Sequence, residues 1–348
     1  MEPSVNKLPD DIRSLVDRQA EFIISQQLPS GAIPWYRGTI ADPWDHVEAA
    51  MALDFAGRSD EASAAYRWLR DTQNPDGSWY FSYLDGTPED LTRDSNFSTY
   101  VATGMWLNYL ITGNAPFLRE MWPVIQRGTE FALGLQQPSG EIYWGLSATG
   151  DVWPGAILTA ASSTWLSLRC AARIAAAVGE DGTRWDAAGV RLSTAIKEHP
   201  ELFDRMGEDK SGHGMTWYYP VLVGLLEGRQ AEERINEGWK DFIIDGWGCK
   251  CFSDRQSVCV AETCELILAL TRMGAKDRAR MVLDWILQFR DSDGVFYREL
   301  YWPDRTIRLC EQGPQGRERN TWTSAAAILA AVALTRIDTV EPERWLVK

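Results

Sequence analysis

Several carboxylates in this 348-residue sequence sit where a helix should be apolar, and these are the first residues that could do chemistry. Glu262 lies in "VCVAETCELILAL", one turn inside the start of an apolar helix. An unpaired carboxylate there is costly to ionise, and the raised pKa that follows suits a general acid; a buried pair with an arginine is the structural alternative. Asp45 stands between Trp44 and His46 in "ADPWDHVEAA". Asp42 before Pro43 reads as an N-cap with proline at N1. That puts Asp45 at N3, where it either closes a capping box or faces a ligand. Asp94 and Asn96 open another apolar stretch beside Arg93, and one of them suffices as its cap. Glu141 and Asp151 are the acids of "EIYWGLSATGDVWPG". Glu299, Asp304, Glu311 and Glu318 crowd the last loop with Arg298, Arg305, Arg308, Arg317 and Arg319, most of them as solvated ion pairs.

Aromatic residues gather around these acids. Trp35, Trp44, Trp144, Trp153, Trp217, Tyr218, Trp302 and Trp322 belong to the same loops or helix starts. Flat aromatic faces suit sugar rings and equally suit isoprenoid cations, and packing between helices also uses them. His46 and His213 are placed likewise, and His213 has glycine on both sides and so has room to reach a ligand. Four cysteines fall in "CKCFSDRQSVCVAETC" without the paired spacing or nearby histidine of a zinc site, so no metal is expected. Cys170 and Cys264 sit in apolar helical stretches and read as core. Walker A, Rossmann and Gly-x-Ser-x-Gly patterns are missing, and no cofactor is implied.

What positions these residues is a repeat. "QLPSGAIPW" at 27–35, "QNPDGSW" at 73–79 and "QQPSGEIYW" at 136–144 end an amphipathic helix, turn on glycine and drop an aromatic ring before the next helix. Apolar helices are expected near 42–57, 96–113, 157–179, 215–228, 257–274 and 319–337, each closed by a glycine such as Gly57, Gly113, Gly179, Gly228 or Gly274 where one is present. Amphipathic helices are expected near 10–27, 59–73, 115–137, 181–203, 230–244 and 275–291. An apolar helix needs cover on all sides and an amphipathic one on only one. The alternation therefore predicts an all-α fold: six helical hairpins closing into an (α/α)6 barrel, apolar helices inside and amphipathic ones outside, with an open solenoid as the competitor. No Pro-, Gly- or Ser-rich linker divides the chain, which reads as one domain, 1–348. Loops entering the apolar helices are long and rich in ionisable and aromatic groups, and the opposite loops are short, so one face should carry function.

Thirty-five basic residues against forty-nine acidic ones give a net charge of −14, which argues against nucleic acid or an anionic membrane as partner. No apolar run reaches the length of a membrane span, and the start lacks the pattern of a signal peptide, so a cytoplasmic protein is expected. A small-molecule substrate is the expected partner, and a homodimer is compatible with the sequence.

Two families share this architecture. "QNPDGSW" resembles the QW motif of terpenoid cyclases and the related protein prenyltransferase toroids, but no acid motif of a class II cyclase and no diphosphate motif accompanies it. "YLITGNAPFLREMWPVIQRGTEFALGLQQPSGEIYW" and "CEQGPQGRERNTWTSAAAILAA" resemble the six-hairpin glycosidases, in particular the glucoamylase-like family. That resemblance implies hydrolysis of an oligosaccharide or glycoside by two carboxyl groups with inversion, one protonating the leaving oxygen and the other activating water. It implies Glu311 as the base, with Glu318 in reserve. The acid remains open among Asp45, Asp94, Glu141 and Glu262, because the family's acidic segment has no residue-for-residue match here. An isoprenoid enzyme and a non-catalytic carbohydrate-binding toroid are the alternatives.

Overall fold

The computed structural model describes residues 8–205, 212–301, 308–309 and 318–336. Trp302 and Glu311 lie outside the described residues. Among the described residues twelve α-helices follow one another: α1 (Asp10–Gln26), α2 (Pro43–Phe55), α3 (Ser59–Thr72), α4 (Ser95–Thr112), α5 (Ala115–Leu133), α6 (Leu158–Val178), α7 (Thr183–Glu198), α8 (Gly214–Leu222), α9 (Gly228–Phe242), α10 (Val260–Arg272), α11 (Lys276–Ile286) and α12 (Thr321–Arg336). The even-numbered helices pack in ring order from α2 through α4, α6, α8 and α10 to α12, and α12 packs back on α2. Odd-numbered helices cover them from outside, α3 on α2, α5 on α4, α7 on α6, α9 on α8, α11 on α10 and α1 on α12. This is a closed (α/α)6 barrel. Composition explains the sorting: every residue of α2 except Asp45 is buried, whereas α9 buries only Ala231, Ile235 and Phe242.

The repeated Gln-x-Pro-x-Gly stretch is a clamp between successive outer helices. Gln73 donates from Nε2 to the Gly77 carbonyl in its own turn and to the Val124 carbonyl on α5, both at 2.9 Å. Gln27 does the same with Gly31 and Glu61, and Gln136 with Gly140 and Ala188. The glycine is required twice over. Gly77 has φ +93, and a Cβ there would collide with the Arg127 carbonyl on α5. At the seam of the ring the donor comes from the other end of the chain. Fully buried Gln19 of α1 donates to the Gly294 carbonyl at 2.8 Å and accepts from Ser324 of α12 at 3.0 Å.

One expected boundary differs. α8 ends at Leu222, not near Gly228, because Pro220 lies within it and Gly224 takes the left-handed conformation that reverses the chain. Gly228 starts α9 instead.

The loops leading into the inner helices are stitched together by short antiparallel strands. They are β1 (Ile40–Ala41), β2 (Ser82–Leu84), β3 (Thr87–Asp90), β4 (Arg93–Asp94), β5 (Gly145–Leu146), β6 (Val152–Trp153), β7 (Ile243–Ile244), β8 (Gly248–Cys249), β9 (Ser257–Cys259), β10 (Glu299–Tyr301) and β11 (Arg308–Leu309). Pairing of β1 with β2, β4 with β5 and β9 with β10 ties the first mouth loop to the second, the second to the third and the fifth to the sixth, and single bridges between Ala156 and Phe203 and between His213 and Phe252 link the loops between. Thr321, at the start of α12, donates to the carbonyls of Trp35 and Pro34 and so joins the last inner helix to the first loop. The mouth is thereby held as one rim around the inner-helix N-termini.

Candidate active site

The inner helices present their first turns at this rim, and acids cap two of them. Asp42 accepts the Asp45 backbone N–H at Oδ1 and the Trp35 indole N–H at Oδ2, both at 2.9 Å. Asp94 accepts the N–H groups of Asn96 at 2.7 Å and Phe97 at 3.1 Å, and its carboxyl also receives the Trp144 side chain. Asp94 is therefore a fully engaged cap; burial raises its pKa to about 7 against the pull of those donors.

Asp45 and Glu262 occupy the same place on their helices, the third position of α2 and of α10. Glu48 and Glu265 follow three residues later, one turn deeper on the same faces. The two helices flank α12, and Trp322 at its second position lies beside both Glu48 and Glu265. Two ladders of carboxyl groups thus converge at depth. Glu48 Oε1 accepts from the Trp44 indole at 2.8 Å and the Tyr100 hydroxyl at 3.0 Å. Glu265 Oε2 accepts a short hydrogen bond from Tyr218.

Few cations offset this charge. Burial raises Glu48 to about 7, with Asp42 adding to the rise and Trp44 and Tyr100 opposing it. Glu265 is held well above the usual carboxylate range by burial and by Glu48. Asp45 keeps part of its surface open to the mouth. Its enclosure by the rim, the adjacent Asp42 carboxyl and the charges of Glu48 and Glu265 still push it well above its ordinary value. Asp42 and Asp45 are adjacent carboxyls whose titrations are linked, and burial raises both. Glu262 differs. Burial raises it to about 7 and Glu299 adds to the rise, while the Cys251 thiol and Arg298 favour its anion.

Glu48 Oε2, Glu262 Oε2, Glu265 Oε1, both side-chain polar atoms of Asn96, Nδ2 of Asn320 and Nε1 of Trp322 are buried without a hydrogen-bond partner. Buried polar groups in folded proteins are overwhelmingly paired. A concentration of orphans at the start of four inner helices is what a polar ligand and its water would complete.

The other sequence candidates fall in three places. Trp44 lines the acid cluster, and its ring packs on Tyr100 at 5.0 Å and Tyr219 at 5.6 Å. Trp144 and Trp153 stand together on the rim at 5.2 Å. Trp35 packs under the Arg298 guanidinium at 4.9 Å. His46 is structural: its Nδ1 accepts from Ile33 N–H, its Nε2–H donates to Ala65, and burial lowers its pKa to about 4, so it stays neutral and engaged. Glu318 is buried and bound at both oxygens, 3.0 and 3.1 Å, by Arg298. Arg93 is paired with Asp76 at 2.9 Å. Trp217 points outward, donating to the Arg234 carbonyl of α9 and stacking on Phe242. His213 packs on Phe252 at 4.0 Å, in the loops between α7 and α8 and between α9 and α10. Glu141 is buried within its turn, with Oε2 unpaired. Glu48 and Glu265 were not singled out, although each is a second acid three residues after the first in an apolar helix.

A closed barrel of six hairpins with a carboxyl-lined mouth is the architecture of the six-hairpin glycosidases. Solved structures agree on the fold. A wild-type glycosidase superposes with a TM-score of 0.71 at 14% identity, covering 93% of this chain and 96% of its own. A bacterial glucoamylase complexed with acarbose does so at 0.71 and 12%, over 95% of this chain and 57% of its own. A D-mannose isomerase gives 0.71 at 11%, over 95% and 98%. No family model matches the sequence. A curated protein of Mycolicibacterium hassiacum, the MMP endo-(1,4)-3-O-methyl-alpha-D-mannosidase, is 45% identical over 317 residues, which is 91% of this chain and 85% of that protein. The chain belongs to the family of that enzyme and is a glycoside hydrolase. The isoprenoid alternative required an apolar pit with a single acid. The family membership and the acids gathered on α2 and α10 overturn it.

Proposed function

We propose that this enzyme hydrolyses an α-mannosidic bond within an oligosaccharide chain, with Asp45 as general acid and Glu262 as general base. The observation that carries the assignment is the difference between the two third-position carboxyls. Burial and the Asp42, Glu48 and Glu265 carboxyls push Asp45 well above its ordinary value, whereas burial and Glu299 raise Glu262 to about 7 with Cys251 and Arg298 pulling it back toward the anion. Two titratable groups pushed apart in this way divide into an acid and a base. Because α12 stands between their helices, the two carboxyls approach the axis from different sides, and a water on the far side of the sugar ring fits the inverting route. Asp42 positions Asp45, and Glu48 and Glu265 hold the local field that keeps its proton. The mannose preference rests on the kinship with the endo-mannosidase. We place the protein in the cytoplasm; among the described residues no helix is long and apolar enough to cross a membrane.

The test uses α-mannosyl oligosaccharides, with and without 3-O-methylation, and NMR detection of the first anomer released. Asp45→Asn and Glu262→Gln should each lower kcat by about 10²–10⁴-fold with the fold intact. Glu311→Gln is measured beside them. A loss confined to Glu311→Gln would move the base to the last loop. Release of the retained anomer would refute inversion.

A further inference from the structure

A row of aromatic rings runs from solvent to the acid cluster. At its outer end is Trp153 on β6, 44% exposed. It meets the half-buried Trp144 edge to face at 5.2 Å, and Trp144 meets Phe81 at 6.3 Å. Phe81 stacks on Phe97 at 5.1 Å, and Phe97 meets Trp44 at 6.1 Å. Trp44 donates to Glu48. Exposure falls along the row, from Trp153 through half-buried Trp144 and Phe81 to Phe97 at 9% and Trp44 at 8%. An indole left this open forgoes part of the stabilisation that burial would give it, yet the protein sets it on a short hairpin pinned to the α4 mouth by the β4–β5 pairing.

We propose that Trp153 is an outer glycan subsite: a platform on which a pyranose ring distant from the scissile bond stacks while the chain threads toward Glu48 and Asp45. The occupant is a further sugar of the same oligosaccharide. Its C–H face matches the negative face of the indole, and the platform is continuous with the catalytic mouth through the four ring contacts above. A subsite at this remove serves an enzyme that grips a long chain and cuts inside it. The inference rests on the proposed glycan hydrolysis and adds to it a direction for the bound chain, over the α4 rim.

The experiment compares wild type, Trp153→Ala and Trp153→Phe on α-mannosyl oligosaccharides of graded length, from the disaccharide upward. Trp153 is exposed and makes one ring contact, so the alanine variant should fold. The expected result is a KM raised about tenfold on long chains, the size of one lost aromatic stack of roughly 1.4 kcal/mol. Short chains should be unaffected, kcat should hold, and phenylalanine should restore most of the loss. An equal change at every length, or none at any length, overturns the subsite. Fluorescence titration with the longest oligosaccharide separates the two readings. A quench present in wild type and lost in Trp153→Phe without any turnover would keep the subsite and refute the hydrolysis. Turnover with no Trp153-dependent quench would do the reverse.

Discussion

Asp54 offers a test of the electrostatics in which catalysis plays no part. It lies near the C-terminal end of α2, away from the mouth, and is 1% exposed. Its Oδ1 accepts from the Asn108 amide at 2.8 Å and its Oδ2 from the Tyr66 hydroxyl at 3.3 Å. Burial raises its pKa from 3.8 to about 7 against both donors. Between those values the folded state keeps a proton that the unfolded chain has lost, so stability falls as pH rises and levels off above about 7. From about pH 5.5 to about pH 8 the fall covers some 1.5 pH units, or ~2 kcal/mol at 1.36 kcal/mol per unit. Asp54→Asn keeps an acceptor for Asn108, lets its own amide donate to Tyr66, and removes the titration. Urea unfolding of both proteins at the two pH values gives the answer by subtraction. The other buried acids lie at the opposite end of the barrel and should cancel. The variant's loss between the two pH values should be smaller by about 2 kcal/mol, with the asparagine protein the more stable at the alkaline end. Equal losses in both proteins would show that Asp54 is not held protonated, and the same reasoning applied to Glu48 and Glu262 would fail with it.

Gly77→Ala combines a forbidden φ with a collision against the Arg127 carbonyl, and should abolish soluble expression or lower the unfolding midpoint sharply, read by circular dichroism. Gly38→Ala serves as its control, with a similar positive φ and nothing within 4 Å of the added carbon, and should cost far less. Cys251→Ala removes the thiol donor to Glu262 and so raises that carboxyl further. A base must be ionised to act, so the acid limb of the kcat/KM profile should move to higher pH, while a purely structural role would scale the profile without moving it.

The fold was legible because its signal is periodic. Alternating apolar and amphipathic stretches give inner and outer rings, and the thrice-written glutamine motif marks where outer helices end. Closure was less visible, since the fourth clamp uses Gln19, some 270 residues before the turn it holds. The site was legible in part. Asp45 and Glu262 stand out as acids at the starts of apolar helices, but the acid cluster they belong to includes Glu48 and Glu265, which only the packing of α2 and α10 against α12 brings together. His46 misled because proximity in sequence to Trp44 and Asp45 says nothing of side: successive helical residues point about 100° apart, and His46 faces α3. The ion pairs of Glu318 and Arg93 were not legible, because their partners come from elsewhere in the chain.

The third-position acids also show which electrostatic effect governs this mouth. A carboxylate in the first turn of a helix is normally favoured as the anion, by about 0.3–1 kcal/mol and up to ~2 in partly buried settings. Glu262 lies in such a turn, with Arg298 acting in the same direction, yet its pKa stands at about 7 against 4.5. That net rise corresponds to roughly 3 kcal/mol favouring the neutral form, so desolvation, with the Glu299 charge adding to it, outweighs dipole, thiol and guanidinium together. Asp45 lacks the cation and has three acids around it, and burial and those acids push it well above its ordinary value. Both carboxyls are raised by burial, and Glu262 is the one with a cation, Arg298, drawing it back toward the anion.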